Sequence, residues 1–91
     1  MQTFQSSTVS PRVKGIETET LIMLSKISEQ KDFLNRILKK YNIKKPDDIE
    51  KMIERGEIEE HPCYEDYLSA LSYKQNIKDL KKMLDNLIRK I

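Results

Sequence analysis

The sequence predicts an all-α protein, a long antiparallel helical hairpin with a short helix at the elbow. Turn-forming residues are scarce, with two glycines and three prolines among 91 residues. Charged residues make up 35% of the chain and apolar residues 37%, a balance rich in Lys, Glu, Leu and Ile that is typical of long helices. Apolar side chains also recur at helical spacing over two long segments. The length allows one domain rather than two.

Residues 1–15 are predicted to form a flexible N-terminal arm, since Ser and Thr cluster there and Pro11 and Gly15 are helix breakers. The helical-hairpin domain is expected over residues 16–91. Its first helix should span residues 16–41, and its main apolar positions are Leu24, Ile27, Leu34, Leu38 and Tyr41. Further apolar residues lie off this stripe, at Leu21, Met23, Phe33 and Ile37. Such a wide apolar face predicts more than one helical neighbour.

A short second helix is predicted over residues 46–55, because start and stop signals enclose it. Pro46 suits a first helical turn, and Asp47 and Asp48 follow it at the end of the helix that favours anions. Gly56 ends the segment, and Asn42 is suited to a left-handed cap after the first helix. A helix of this length is not stable alone in water, so it must pack on the hairpin.

The third helix is predicted over residues 62–91, and a heptad stripe is its most specific feature. Gaps of three and four residues alternate along the positions Ala70, Tyr73, Ile77, Leu80, Leu84, Leu87 and Ile91. The stripe predicts coiled-coil packing. Two uses remain open for it, a core within the chain and assembly with a second copy or a partner helix.

Charge is distributed unevenly along the chain, although the net charge is only +2. Residues 46–66 carry nine acids and two bases, and residues 67–91 carry six bases and two acids. The acidic segment is explained either by helix capping with local ion pairs or by a surface for a basic partner. The partner-binding residues predicted on the second interpretation are Glu57, Glu59, Glu60, Tyr64, Glu65, Asp66, Tyr67 and Leu71.

Two long helices form a thin structure, since each can cover one stripe of the other and leaves a second face in water. A homodimer that builds a four-helix bundle would supply the missing layer, and a helical protein partner would supply it equally well. We therefore expect a non-catalytic protein-interaction module.

Residues with catalytic or metal-binding chemistry do not form a recognised motif. His61 and Cys63 lie near each other, but structural zinc takes four ligands and the chain has one Cys and one His. A Cys63–His61 nucleophile pair is sterically awkward two positions apart ahead of a helix. The phosphate-binding loop, the G-x-S-x-G elbow and the H-E-x-x-H motif are absent from the sequence. We expect no enzyme activity, no catalytic residues, no cofactor, no metal and no small-molecule substrate.

A nucleic-acid-binding regulator is the alternative to a protein-interaction module. It would use the arm, with Arg12 and Lys14, and a basic helix face. The basic residues of the third helix are Lys74, Lys78, Lys81, Lys82, Arg89 and Lys90. The sequence lacks both a signal peptide and an apolar run near the roughly 18–20 residues that span a bilayer, so we expect a cytoplasmic protein without membrane contact.

Three short features carry a resemblance to a known group of proteins. They are Tyr41 at the end of the first helix, the Gly56-Glu57 step, and the run from Tyr64 to Tyr67. Over roughly residues 20–90 the layout resembles small, mostly archaeal helical proteins, some of them encoded beside toxin-like partners as candidate antitoxins. The resemblance implies a protein-binding role.

Overall fold

The computed structural model describes residues 11–90, with side chains from Gly15 onward. Three helices make up this part of the chain, α1 over Pro11–Tyr41, α2 over Asp47–Glu54 and α3 over Glu60–Ile88. Residues 11–90 contain no strand, so the predicted all-α class is confirmed. Residues 1–10 of the predicted arm, and Ile91 of the heptad stripe, lie outside the described residues.

The first helix begins at Pro11, five residues before the predicted start at Ile16. Residues 11–15 therefore belong to α1 rather than to an arm. Proline is favoured in a first helical turn, where its missing N–H has no intrahelical partner to lose. Gly15 lowers helix propensity but does not end a helix that continues for many residues beyond it.

The end of the first helix at Tyr41 is as predicted, and the boundaries of the other two helices differ from the prediction by one to three residues. The short helix α2 covers Asp47–Glu54, against the predicted residues 46–55. The third helix starts at Glu60 and ends at Ile88, against the predicted residues 62–91. His61 has a non-helical backbone within it, with φ −112° and ψ 132°, so the regular helix continues from Pro62.

Matching caps end the first two helices. Asn42 has φ 55°, its N–H bonds to the Lys39 carbonyl at 3.1 Å, and the Ile43 N–H bonds to the Leu38 carbonyl at 2.9 Å. Gly56 repeats this pattern with φ 74°. Its N–H bonds to the Ile53 carbonyl at 3.0 Å, and the Glu57 N–H bonds to the Met52 carbonyl at 2.9 Å. Both are Schellman motifs, which satisfy the last free carbonyls and turn the chain sharply.

The long helices pack side by side and antiparallel. Three contacts show the register: Lys40 with Asp66, the ring of Phe33 with that of Tyr73 at 5.4 Å, and the Asn76 amide with the Gln30 amide oxygen at 2.9 Å. The position on α3 falls as the position on α1 rises, which defines the hairpin. The short helix α2 packs against α3.

The core of this hairpin is small. Among the described side chains, the buried apolar residues are Ile27, Ile49, Ala70 and Leu87. Ile49 is completely buried and attaches α2 to the hairpin. Leu24, expected on the main stripe of the first helix, is instead 48% exposed, while Met23, Phe33 and Ile37 are half-buried.

The molecule is long and thin, with principal extents of 62 × 27 × 17 Å. Its accessible surface is 6710 Å². A compact monomer of this mass exposes about 5,500 Å². This excess of accessible surface is expected for two long helices that are not covered by a further layer. None of the three described helices is long and apolar enough to cross a membrane.

Candidate functional site

Asp66 joins the last turn of α1 to the first turns of α3. Its Oδ2 accepts a hydrogen bond from Lys40 Nζ at 2.8 Å and a second one from Tyr41 Oη at 2.5 Å. Lys40 also lies over the Tyr41 ring, with Nζ 5.4 Å from the ring centroid. Asp66 was predicted to meet a partner, but these contacts hold its carboxylate within the chain.

The pKa values of these groups change together. The Lys40 and Tyr41 hydrogen bonds lower the pKa of Asp66, and the bond to Asp66 raises the pKa of Lys40. Burial raises the pKa of Tyr41, and its hydrogen bonds to Asp66 and Cys63 raise it further. The cluster therefore contains a carboxylate, an ammonium and a neutral phenol throughout the neutral range. A phenol with a raised pKa donates a proton poorly, so this arrangement suits structural attachment.

His61 and Glu65 form a second pair at the start of α3. His61 Nδ1 lies 3.0 Å from Glu65 Oε1, and His61 Nε2 lies 3.9 Å from Glu60 Oε2. The bond to Glu65 raises the pKa of His61 and lowers that of Glu65. All three side chains are exposed, so this pair lies on the surface.

Two tyrosines lie together in the first turns of α3, and Tyr67 is near the acidic helix α2. The rings of Tyr64 and Tyr67 are 5.8 Å apart between centroids. Burial raises the pKa of the Tyr67 phenol, and the nearby charges of Glu50 and Asp47 raise it further. Tyr64 keeps 38% of its surface exposed, whereas Tyr67 is half-buried. Of this pair, Tyr64 is the more accessible to a partner.

The remaining predicted acids are exposed between the end of α2 and the start of α3. Glu57 pairs with Arg55, with Oε2 and Nη1 3.0 Å apart. Glu59 and Glu60 are exposed where the chain enters α3. The structure therefore brings the predicted acids and aromatics to one end of the hairpin.

An open groove of about 650 Å³ runs along α3 next to this end. Leu71 lines it together with Leu68, which is 47% exposed and was absent from the predicted partner-binding set. The other lining residues are Ser72, Lys74, Gln75 and Lys78. Every lining residue belongs to α3, so neither α1 nor α2 covers this face. Apolar residues at spacing 64, 68 and 71 are the sequence signal that marks it.

The heptad stripe lies on the other face of α3, which packs into the hairpin. Ala70 and Leu87 are buried, and the members between them are half-buried: Tyr73, Ile77, Leu80 and Leu84. Tyr73 contacts Phe33 of α1. The described stripe is therefore packed inside the chain, and contact with a second copy needs a different face.

A metal site is not formed by the described side chains. Within residues 15–90, no three His, Cys, Asp or Glu side chains are grouped so as to hold an ion. Cys63 is half-buried and has no disulfide partner.

The fold and this surface define a class, the small all-helical hairpin with an acidic, aromatic elbow. The chain belongs to the family described as the uncharacterised protein MJ0235 family, whose match covers residues 6–91. It is similar to a Methanocaldococcus jannaschii protein described as uncharacterised protein MJ0235. The two are 33% identical over 63 residues, which is 69% of this chain and 77% of that protein. No solved structure matches the chain significantly. The archaeal part of the resemblance is confirmed, and neither name mentions an antitoxin.

Proposed function

We propose that this chain is a non-catalytic protein-interaction module, which completes its helical layer by binding a second copy or a helical partner. The observation that supports this proposal is that more large apolar side chains are exposed than apolar side chains are buried. Among the side chains that the structure describes, four apolar residues form the buried core, whereas seven large ones are exposed: Leu21, Ile22, Leu24, Tyr64, Leu68, Met83 and Ile88. A monomer rarely leaves so much of its apolar content in water without an interaction to use it.

The first test is the absolute mass of the purified chain, measured by light scattering after size exclusion at two concentrations. A mass near twice 10.8 kDa supports self-association. A monomer that unfolds with weak cooperativity supports a separate partner, because the second layer is then missing. A monomer that unfolds cooperatively at high temperature contradicts the proposal.

The surface used by a partner is tested with Tyr64→Ala combined with Glu59→Lys and Glu60→Lys. These three side chains are exposed, so the variant should keep its helix content while its complex weakens. Loss of helix content would show that the elbow acids and Tyr64 hold the fold instead.

The resemblance to antitoxins supports a finer version of the proposal, in which the partner is a toxin-like protein. The acidic elbow is the surface that a basic toxin would meet. Co-expression of the chain with the product of the adjacent gene tests it. Relief of a growth defect and a complex of fixed stoichiometry would support the antitoxin role, and independent behaviour of the two proteins would refute it.

Nucleic-acid binding remains the second candidate, because four lysines of α3 are exposed: Lys74, Lys78, Lys81 and Lys82. Phosphate contacts of this kind weaken steeply with salt. A mobility-shift titration at several salt concentrations tests it directly. Binding that is absent, or that does not change with salt, would remove this candidate.

A further inference from the structure

The outer face of α3 carries apolar side chains in water at its acidic end. Tyr64 and Leu68 are exposed there, and Leu71 is half-buried beside them. The groove along this face is lined by α3 alone, so both helices of the same chain leave it open. It continues toward the C-terminus between Lys74 and Lys78.

Charge divides this helix into two halves. The acidic half begins at Glu60 and receives further acids from α2, where Asp47 and Glu50 lie near Tyr67. The other half carries exposed lysines: Lys74, Lys78, Lys81 and Lys82. An element that is acidic at one end and basic at the other is complementary to a copy of itself running in the opposite direction.

We propose that this face of α3 binds the same face of a second copy of the chain, with the two helices antiparallel about a twofold axis near Leu71. Leu68 and Leu71 of the two copies then form an apolar centre. Tyr64 and Lys78 lie equally far from Leu71 along the regular helix, and Glu60, just before the non-helical His61, is as far from Leu71 in sequence as Lys82 is. The lysines of each copy thus meet the acidic end of the other copy. The basic surface that the acidic elbow would bind is then the lysine-bearing half of α3 in a second copy.

The accessible surface allows such an interface. The 6710 Å² of the chain is about 1,200 Å² more than a compact monomer of this mass exposes. Each partner of a standard interface contributes about 800 Å². The inference rests on the proposed function, and it specifies which face is used and what binds there.

A matched pair of substitutions tests the apolar centre. Leu68→Glu introduces a charge into the proposed interface, whereas Leu21→Glu introduces the same charge at a 68% exposed site on α1. Sedimentation equilibrium of the full chain should show a dimer that Leu68→Glu weakens by about tenfold or more and that Leu21→Glu leaves unchanged. Both positions are surface-exposed, and circular dichroism checks that helix content is retained.

Charge exchange tests the direction of the helices. One variant carries Lys78→Glu and Lys82→Glu, and the other carries Glu59→Lys and Glu60→Lys. Each should self-associate more weakly than the natural chain, because like charges then meet across the interface. Their equimolar mixture should restore the association, since both charge contacts in the mixed dimer join opposite charges. No recovery on mixing would overturn the antiparallel arrangement.

The outcomes separate this inference from the proposed function. A dimer that is weakened by Leu21→Glu and not by Leu68→Glu overturns the inference, while an interaction module remains supported. A natural chain that stays monomeric at all concentrations also overturns it, and the cooperativity of unfolding then decides the proposed function. A dimer with the predicted response to both sets of variants supports both.

Discussion

Asp66 carries most of the polar attachment between α1 and α3. Its carboxylate accepts bonds from Lys40 and Tyr41, and its side chain is 26% exposed against 58% for Lys40. Because Lys40 is so exposed, solvent screens much of the ion pair, and the Tyr41 bond contributes the larger part. We predict that Asp66→Asn lowers the free energy of unfolding by about 1 kcal/mol at neutral pH.

Acid should remove the difference in the free energy of unfolding between the natural chain and Asp66→Asn. Since the folded state lowers the pKa of Asp66, its stabilisation is present above the unfolded pKa and is lost as pH falls through the folded pKa. Urea unfolding near neutral pH and again in acid measures the change. Asp79→Asn is the control, because Asp79 is exposed and pairs with Gln75 of its own helix. If Asp66→Asn and Asp79→Asn lower the free energy of unfolding equally, Asp66 does not attach α1 to α3 as proposed.

The imidazole of His61 reports the surface charge at the start of α3. Its pKa is raised above the ordinary value of a histidine, chiefly by the hydrogen bond to Glu65. We predict that Glu65→Gln lowers the His61 pKa, and that Glu60→Gln lowers it less, because the Glu60 contact is 3.9 Å rather than 3.0 Å. The pair stabilises the fold below the unfolded pKa of His61 and loses this effect as pH rises through the folded pKa.

Titration of the His61 ring protons by nuclear magnetic resonance measures these values. The chain has a single histidine, so the signals need no assignment by mutagenesis. Equal shifts in the two variants would show that general surface charge, rather than the Glu65 bond, sets the pKa.

Individual contacts at the elbow were harder to predict than the acidic segment itself. The acids and tyrosines could be grouped by position in the chain, and the structure brings them to one end. Which acid meets α1 depends on the register between two helices, which separates Tyr41 from Asp66 by 25 positions. Sequence spacing within one helix carries no information on that register.

Polar residues conceal the packing stripe of α1. Eight of its less exposed positions follow a regular alternation of three and four residues: Ile16, Thr20, Met23, Ile27, Gln30, Leu34, Ile37 and Tyr41. Phe33 and Leu38, which are also less exposed, lie beside them. Thr20 bonds to the Ile16 carbonyl at 2.8 Å, and Gln30 bonds to Asn76 across the hairpin. Because Thr20 and Gln30 are polar, a search for apolar residues at helical spacing passes over them. It then assigns Leu24, rather than Met23, to the packing stripe. The stripe of α3 is apolar at every described position, so its spacing is visible in the sequence.

The two glycines lie in elements with opposite requirements. Gly15 is inside α1, where an added Cβ meets nothing within 4 Å, so alanine should favour the helix. Gly56 caps α2 with φ 74°, a conformation that alanine adopts at a cost. We predict that Gly15→Ala raises the free energy of unfolding by about 0.5 kcal/mol and Gly56→Ala lowers it by about 1 kcal/mol.

The urea unfolding midpoints of the two variants, compared with that of the natural chain, test whether the two changes in the free energy of unfolding have opposite signs. Gly56→Asn is the matched control, because asparagine tolerates the left-handed conformation and should lose less than alanine. The structure shows the same choice at Asn42, which caps α1 with φ 55°. Stabilisation by Gly56→Ala would mean that the cap after α2 is not needed.

The whole hairpin has too thin a core to explain strong stability as a single chain. Within the described residues, Ile27, Ala70 and Leu87 are the buried apolar side chains of the two long helices, and Ile49 belongs to α2. If a second copy covers the outer face of α3, folding and association are coupled. The melting temperature then rises with chain concentration by mass action.

We predict a rise of about 4 °C for each tenfold increase in concentration, from the unfolding entropy of a dimer of this size. Leu68→Glu should lower the melting temperature and weaken the association, so that a higher concentration is needed before the same dependence appears. Leu21→Glu should keep the dependence of the natural chain, because α1 presents that side chain away from the proposed interface. Differential scanning calorimetry over about a hundredfold range of concentration measures all three chains. A melting temperature independent of concentration would show that the hairpin is stable without a second copy, and that its exposed apolar residues contribute no self-association.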